Sequence, residues 1–170
     1  MGKEIVNKIA NSKLITIDLH DYVPKIDILQ FDIADLLFEG IILKEKDFRS
    51  KIKTFDFTNF NKKNATIMCS ADVIIPMWAY MLVATFLNPV CSRLFFGSKE
   101  EIIQNITLEN INAIDEKKFL NKKVIVKGCG NIANSEHCYV AITKKMQKSV
   151  KVLLFGEACS AVPVYKKTIL

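Results

Sequence analysis

The strongest constraint on how this chain folds is a pattern written twice, about sixty residues apart. The first occurrence starts at Phe60, passes an Asn-Lys-Lys turn and the short apolar run Ala65 to Met68, and reaches Cys69. It then continues through Ala79-Tyr80 and Thr85 to an apolar run that closes on Gly97. The second starts at Phe119, passes another Asn-Lys-Lys turn and Val124 to Lys127, reaches Cys129, and continues through Cys138-Tyr139 and Thr143 to Gly156. A repeated unit places equivalent residues at equivalent points of a fold, so Cys69 and Cys129 are expected to share one kind of environment.

Each occurrence reads as strand, loop, helix, strand. Ala65 to Met68 and Val124 to Lys127 are short, apolar and bounded by polar turns, as buried strands are. Helices follow at Pro76 to Leu87 and Ser135 to Gln147, then second strands at Arg93 to Phe96 and Val150 to Phe155. Strands joined through a helix pair in parallel. The expected architecture is therefore a single α/β domain over residues 1–170, with a mostly parallel sheet built from two duplicated βαβ units and helices on both faces. Its parts are an N-terminal segment (1–57), the first βαβ unit (58–97), the second (117–156) and a cysteine-containing tail (157–170). In the N-terminal segment, Met1 to Asn11 reads as a short polar helix and Leu14 to Leu19 as a strand. Asp32 is placed to cap a short helix ending near Phe38, Ile41 to Leu43 reads as a strand, and Lys44 to Lys53 as a surface helix with Phe48 and Ile52 inward.

Composition excludes several functions. A chain of 170 residues with 50% hydrophobic content suits one sizeable core rather than disorder. The net charge of +6 is spread along the sequence on lysines, with Arg49 and Arg93 the only arginines, so a nucleic-acid face is not expected. Val73 to Ser92 carries no charge, but Pro76 and Asn88-Pro89 leave a helix too short to cross a bilayer, and no membrane partner is expected. Five cysteines with no signal-like apolar segment at the start point to a reduced cytosolic protein, whose cysteines serve as thiols or metal ligands. A homo-oligomer is compatible with all of this.

The cysteines carry the candidate chemistry. Ligands bind parallel sheets at the carboxyl ends of the strands, and neighbouring strands lie about 4.8 Å apart there. If the two first strands are central neighbours, Cys69 and Cys129 stand together at that edge. After the last strand, Cys159-Ser160-Ala161 repeats the tripeptide Cys69-Ser70-Ala71, which adds a third thiol. Cys69, Cys129 and Cys159 are thus candidate ligands of zinc or iron, with Ser70, Asp72, Glu157 and Ser160 around them and His137, Asp72, Glu157 or water as the fourth ligand. The position matching His137 in the first occurrence is Trp78 or a neighbour, so the repeat does not support a ligand role for it. Cys91 and Cys138 read as packing residues. Two other readings stand beside the metal. One is a thiol-dependent enzyme on a small molecule, using a cysteine between a strand end and a helix N-terminus. The other is an interaction module whose cysteines only fill space, with an apolar patch near Ile169-Leu170. Tyr80 and Tyr139 hold a hydroxyl at one position of both helices, where a hydrogen bond to the sheet edge is expected.

The segments Gly40 to Arg49, Cys69 to Met81, Lys127-Gly128-Cys129 and Phe155 to Tyr165 together resemble a domain-of-unknown-function family found in Bacteroidetes, with its Cys-Ser-Ala-Asp and Gly-Glu-x-Cys-Ser-x-Val-Pro motifs. The resemblance spans nearly the whole chain. It implies a cytosolic single-domain protein and no particular reaction.

Overall fold

The computed structural model describes residues 14–128 and 135–167. The expected helix at Met1 to Asn11, Cys129 and the Ile169-Leu170 end lie outside the described residues. The chain divides into two compact units, one formed by residues 1–24 with 103–170 and the other by residues 25–102.

In the unit of residues 25–102, strand β2 (Ile28–Asp32), strand β3 (Asn64–Met68) and strand β4 (Arg93–Phe96) form an all-parallel sheet in that order. Helix α2 (Met77–Leu87) makes the β3-to-β4 crossover. It carries no charged residue and buries Ala79, Val83 and Leu87, an i, i+4, i+8 stripe along one face. Helix α1 (Glu45–Thr54) sends in Phe48 and Ile52, both fully buried, as the four-residue spacing predicts. The Phe48 ring meets Trp78 edge-on at 5.8 Å, and Arg49 lies over the same indole. Acidic residues in the first turn of α1 and lysines in the last oppose its dipole. Phe31, Phe55, Phe57, Phe60 and Phe86 add a packed aromatic cluster to the aliphatic residues of this core.

In the other unit, strand β1 (Leu14–Asp18), strand β5 (Lys123–Lys127) and strand β6 (Val152–Phe155) are parallel in the order β1-β5-β6. Strand β7 (Val162–Lys166) closes the sheet antiparallel to β6. Helix α4 (Ser135–Met146) is the β5-to-β6 crossover, burying Cys138, Ile142 and Met146 against Val124, Val126 and Leu153. Helix α3 (Lys99–Asn112) runs across the boundary drawn between the units.

The α/β class and the mostly parallel pairing agree with the sequence. The single sheet does not: the strands form two. The reason is that both edges of each crossover's first strand are taken, those of β3 by β2 and β4 and those of β5 by β1 and β6. No edge remains for β3 to meet β5. Ile41 to Leu43 is not a strand either; Glu39 and Gly40 turn the chain at positive φ, leaving one isolated bridge between Phe38 and Ile42.

Local geometry matches between the two crossovers at a constant offset of 59 positions. Lys62 and Asn121 both take a left-handed conformation, and their amides donate at 2.8 Å to the Val90 and Ser149 carbonyls. Gly97 and Gly156 end the second strands at φ +108° and +105°, donating at 3.0 Å to Ile67 and Val126. Tyr80 meets Phe96 edge-on at 5.4 Å, as Tyr139 meets Phe155 at 5.3 Å. At that offset Cys69 corresponds to Gly128, and Ser70 to Cys129. The two cysteines therefore sit one position out of step.

A side chain at either glycine is strained by the left-handed φ, but Gly97 carries an added cost. A Cβ there would sit 2.7 Å from the Glu101 carboxylate, which caps α3 by accepting the Ser98 amide at 2.8 Å while the Ser98 hydroxyl accepts the Glu101 amide. Gly156→Ala is expected to cost about 1–3 kcal/mol in urea unfolding, and Gly97→Ala about 1 kcal/mol more through loss of the cap.

Candidate functional site

Because β1, β5 and β6 run parallel, their carboxyl ends meet at one edge of their sheet, at Asp18, Lys127 and Phe155. Asp18 organises this edge. Its carboxylate accepts the His20 amide at 3.0 Å, lies 3.0 Å from the His20 Nδ1, and pairs with the Lys127 ammonium at 3.3 Å. The amide bond from His20 holds the Asp18 carboxyl below its usual range, with the His20 ring and Lys127 adding to the effect. Lys127 is raised in turn, first by its hydrogen bond to Asp18 and then by the charges of Asp18, Glu157 and Asp21. The Tyr139 hydroxyl donates at 2.6 Å to the Gly128 carbonyl, the bond to the sheet edge expected of it. Past β6, the chain turns through Gly156 to Ser160, closed by the Ser160 amide on the Glu157 carbonyl at 2.9 Å, and Cys159 is exposed in that turn.

The corresponding edge of the β2-β3-β4 sheet is built from the same parts with less charge. Asp32 ends β2 as Asp18 ends β1, but Met68 stands where Lys127 does. The Asp32 carboxylate accepts the Ala34 amide at 2.9 Å and the Ser70 amide at 3.0 Å. Burial pushes this carboxyl up, and the hydrogen bonds outweigh that, leaving it below its usual range. Cys69 is half-buried, its thiol donating to the Ala71 carbonyl at 3.7 Å. Tyr80 lies close enough for burial and Cys69 together to raise its hydroxyl.

The expected ligand set is therefore distributed over two sheets. Cys69, Ser70 and Asp72 follow β3; Glu157, Cys159 and Ser160 follow β6; and position 129 follows β5. His137 is exposed on α4, beside a groove of about 570 Å³ shared with Glu116, Glu136, Lys144, Lys145 and Lys148. Among the described residues, no group of three or more His, Cys, Asp and Glu side chains is gathered closely enough to hold a metal ion. Cys138 and Cys91 have thiols raised by burial, consistent with packing roles. His20 was not among the sequence candidates. Its signal was available, since an aspartate ending a strand and a histidine two residues later form a local hydrogen-bonded turn.

Replacing Asp18 or Asp32 by alanine is expected to cost about 1–2 kcal/mol, because each caps a short 3₁₀ turn; asparagine, which keeps an acceptor, should cost less. Both folded carboxyls are depressed, so their contributions are complete above the ordinary carboxylate range and disappear as pH falls through the folded values. Urea midpoints measured for each alanine variant should converge on wild type in acid.

No curated protein and no solved structure matches the chain. A family model does match it, over residues 3–167. The chain thus belongs to the family described as protein of unknown function (DUF2480).

Proposed function

We propose that the β1-β5-β6 sheet edge binds a thiophilic metal ion, zinc or iron, through Cys129 and Cys159, with His20, Asp18 or Glu157 completing the shell. The observation that supports this reading is the strand order. Three adjacent parallel strands end at one edge, and in sequence His20 comes two residues after β1, Cys129 two after β5 and Cys159 four after β6. Neighbouring strands lie about 4.8 Å apart, within the span that two thiolates bridge through one tetrahedral ion. Asp18 already holds the His20 ring by its Nδ1, the kind of second contact that orients a ligating imidazole. Zinc would serve as a closed structural ion, and iron would add one-electron chemistry.

Elemental analysis of protein purified without added metal tests the reading. About one zinc or iron per chain is expected. Cys129→Ser and Cys159→Ser should each remove most of it, whereas Cys69→Ser, in the other sheet, should leave it in place. Absence of stoichiometric metal, or a content unchanged by both of the first two variants, would overturn the proposal.

A further inference from the structure

We infer that β4 is a self-association edge, and that two copies of this chain join through it in antiparallel register about a twofold axis at Phe95. The two sheets end differently. In one, β6 is covered by β7, with Leu153 opposite Tyr165 and Phe155 opposite Val162. The outer strand β7 carries Pro163 and Lys166, residues that discourage further pairing at an edge. In the other, β4 occupies the position of β6 and, among the described residues, pairs with β3 alone. Its sequence Arg93-Leu94-Phe95-Phe96 has no proline or lysine to guard it.

The missing cover is visible in one pair of side chains. Phe96 and Phe155 make the same edge-on contact with a tyrosine of their crossover helix, yet Phe155 is 39% exposed and Phe96 71%. Around Phe96 the apolar surface continues on α2. Met77 and Met81, one helical turn apart, are 72% and 69% exposed, and Ile74 just before the helix is 97% exposed. At the positions of Met77 and Thr85, α4 carries Glu136 and Lys144 instead. An edge strand whose one charge, Arg93, stands at its start, beside an uncharged helix face, has the character of a contact surface.

The β4 sequence is complementary to itself in antiparallel register, which favours a second copy as the occupant. Gly97 turns its amide to Ile67 of β3, so by alternation Leu94 and Phe96 direct their backbone groups to the free edge. An antiparallel pair centred on Phe95 sets Leu94 of one copy opposite Phe96 of the other, in hydrogen-bonded pairs, with their side chains on the α2 face. Arg93 then falls opposite Gly97, and no like charges meet. The interface is isologous, and it closes at two chains.

Sedimentation velocity on the full chain across a dilution series is expected to show a species of two 19.3 kDa chains. Phe96→Lys, at a side chain already exposed, should raise the dissociation constant by more than about tenfold while leaving the thermal melt near wild type. Phe95→Lys, which opposes two ammonium groups at the axis, should do the same. A wild-type monomer throughout the series, or dimers that persist in both variants, would overturn the inference. Metal content stays unchanged in either variant, so this result is separable from that of the metal site.

Discussion

Parallel strand pairing is the constraint on which the rest of this structure depends. A parallel neighbour must be reached by a crossover, and every crossover returns the chain so that strand ends of one polarity collect at one edge. Here β1, β5 and β6 collect Asp18, Lys127 and Phe155, while β2, β3 and β4 collect Asp32, Met68 and Phe96. Which residues can act together is decided by these pairings before any side-chain chemistry applies. The pairings are themselves locked by short-range bonds, the left-handed Lys62 and Asn121 at one end of each crossover and the glycine amides at the other.

Two crossovers with the same internal bonds carry different surfaces. The β1-β5-β6 edge is charged, since an aspartate at the end of β1 finds a lysine at the end of β5, and its outer strand is sealed by β7. The β2-β3-β4 edge lacks the cation, since the matching aspartate bonds two backbone amides with Met68 beside it, and its outer strand is open beside an apolar helix face. A half-buried carboxylate that is met by hydrogen-bond donors from Ser70 and Ala34 needs no partner charge, so Met68 is tolerated where Lys127 stands. The account therefore assigns ligand chemistry to one sheet and association to the other.

Much of this was legible in the residues, and the failures have definite causes. The βαβ units showed because Ala65 to Met68 and Val124 to Lys127 are short apolar runs followed by helix-length segments and glycine. Phe48 and Ile52 were placed inward by spacing alone. Strand order was not legible, because period-two alternation reports which face a residue takes and not which strand lies beside it. That gap produced the single sheet and the pairing of Cys69 with Cys129, and matching by residue type rather than by constant offset hid the one-position slip. Helix α3 was missed although Ser98 and Glu101 spell a capping box, because its isoleucines and leucine are interleaved with polar residues on several faces. Strand β7 was passed over because Pro163 argues against a strand interior, whereas an outer strand accepts it. His20 was passed over because it lies just outside the Leu14 to Leu19 run, although Asp18, which ends β1, also holds its ring.

The most direct measurement of the central claim, that neighbouring parallel strand ends gather thiolates around one ion, is X-ray absorption at the metal edge of the purified full chain. The account predicts at least two sulfur scatterers at about 2.3 Å, with nitrogen or oxygen completing a tetrahedral shell. A shell of nitrogen and oxygen alone would contradict it.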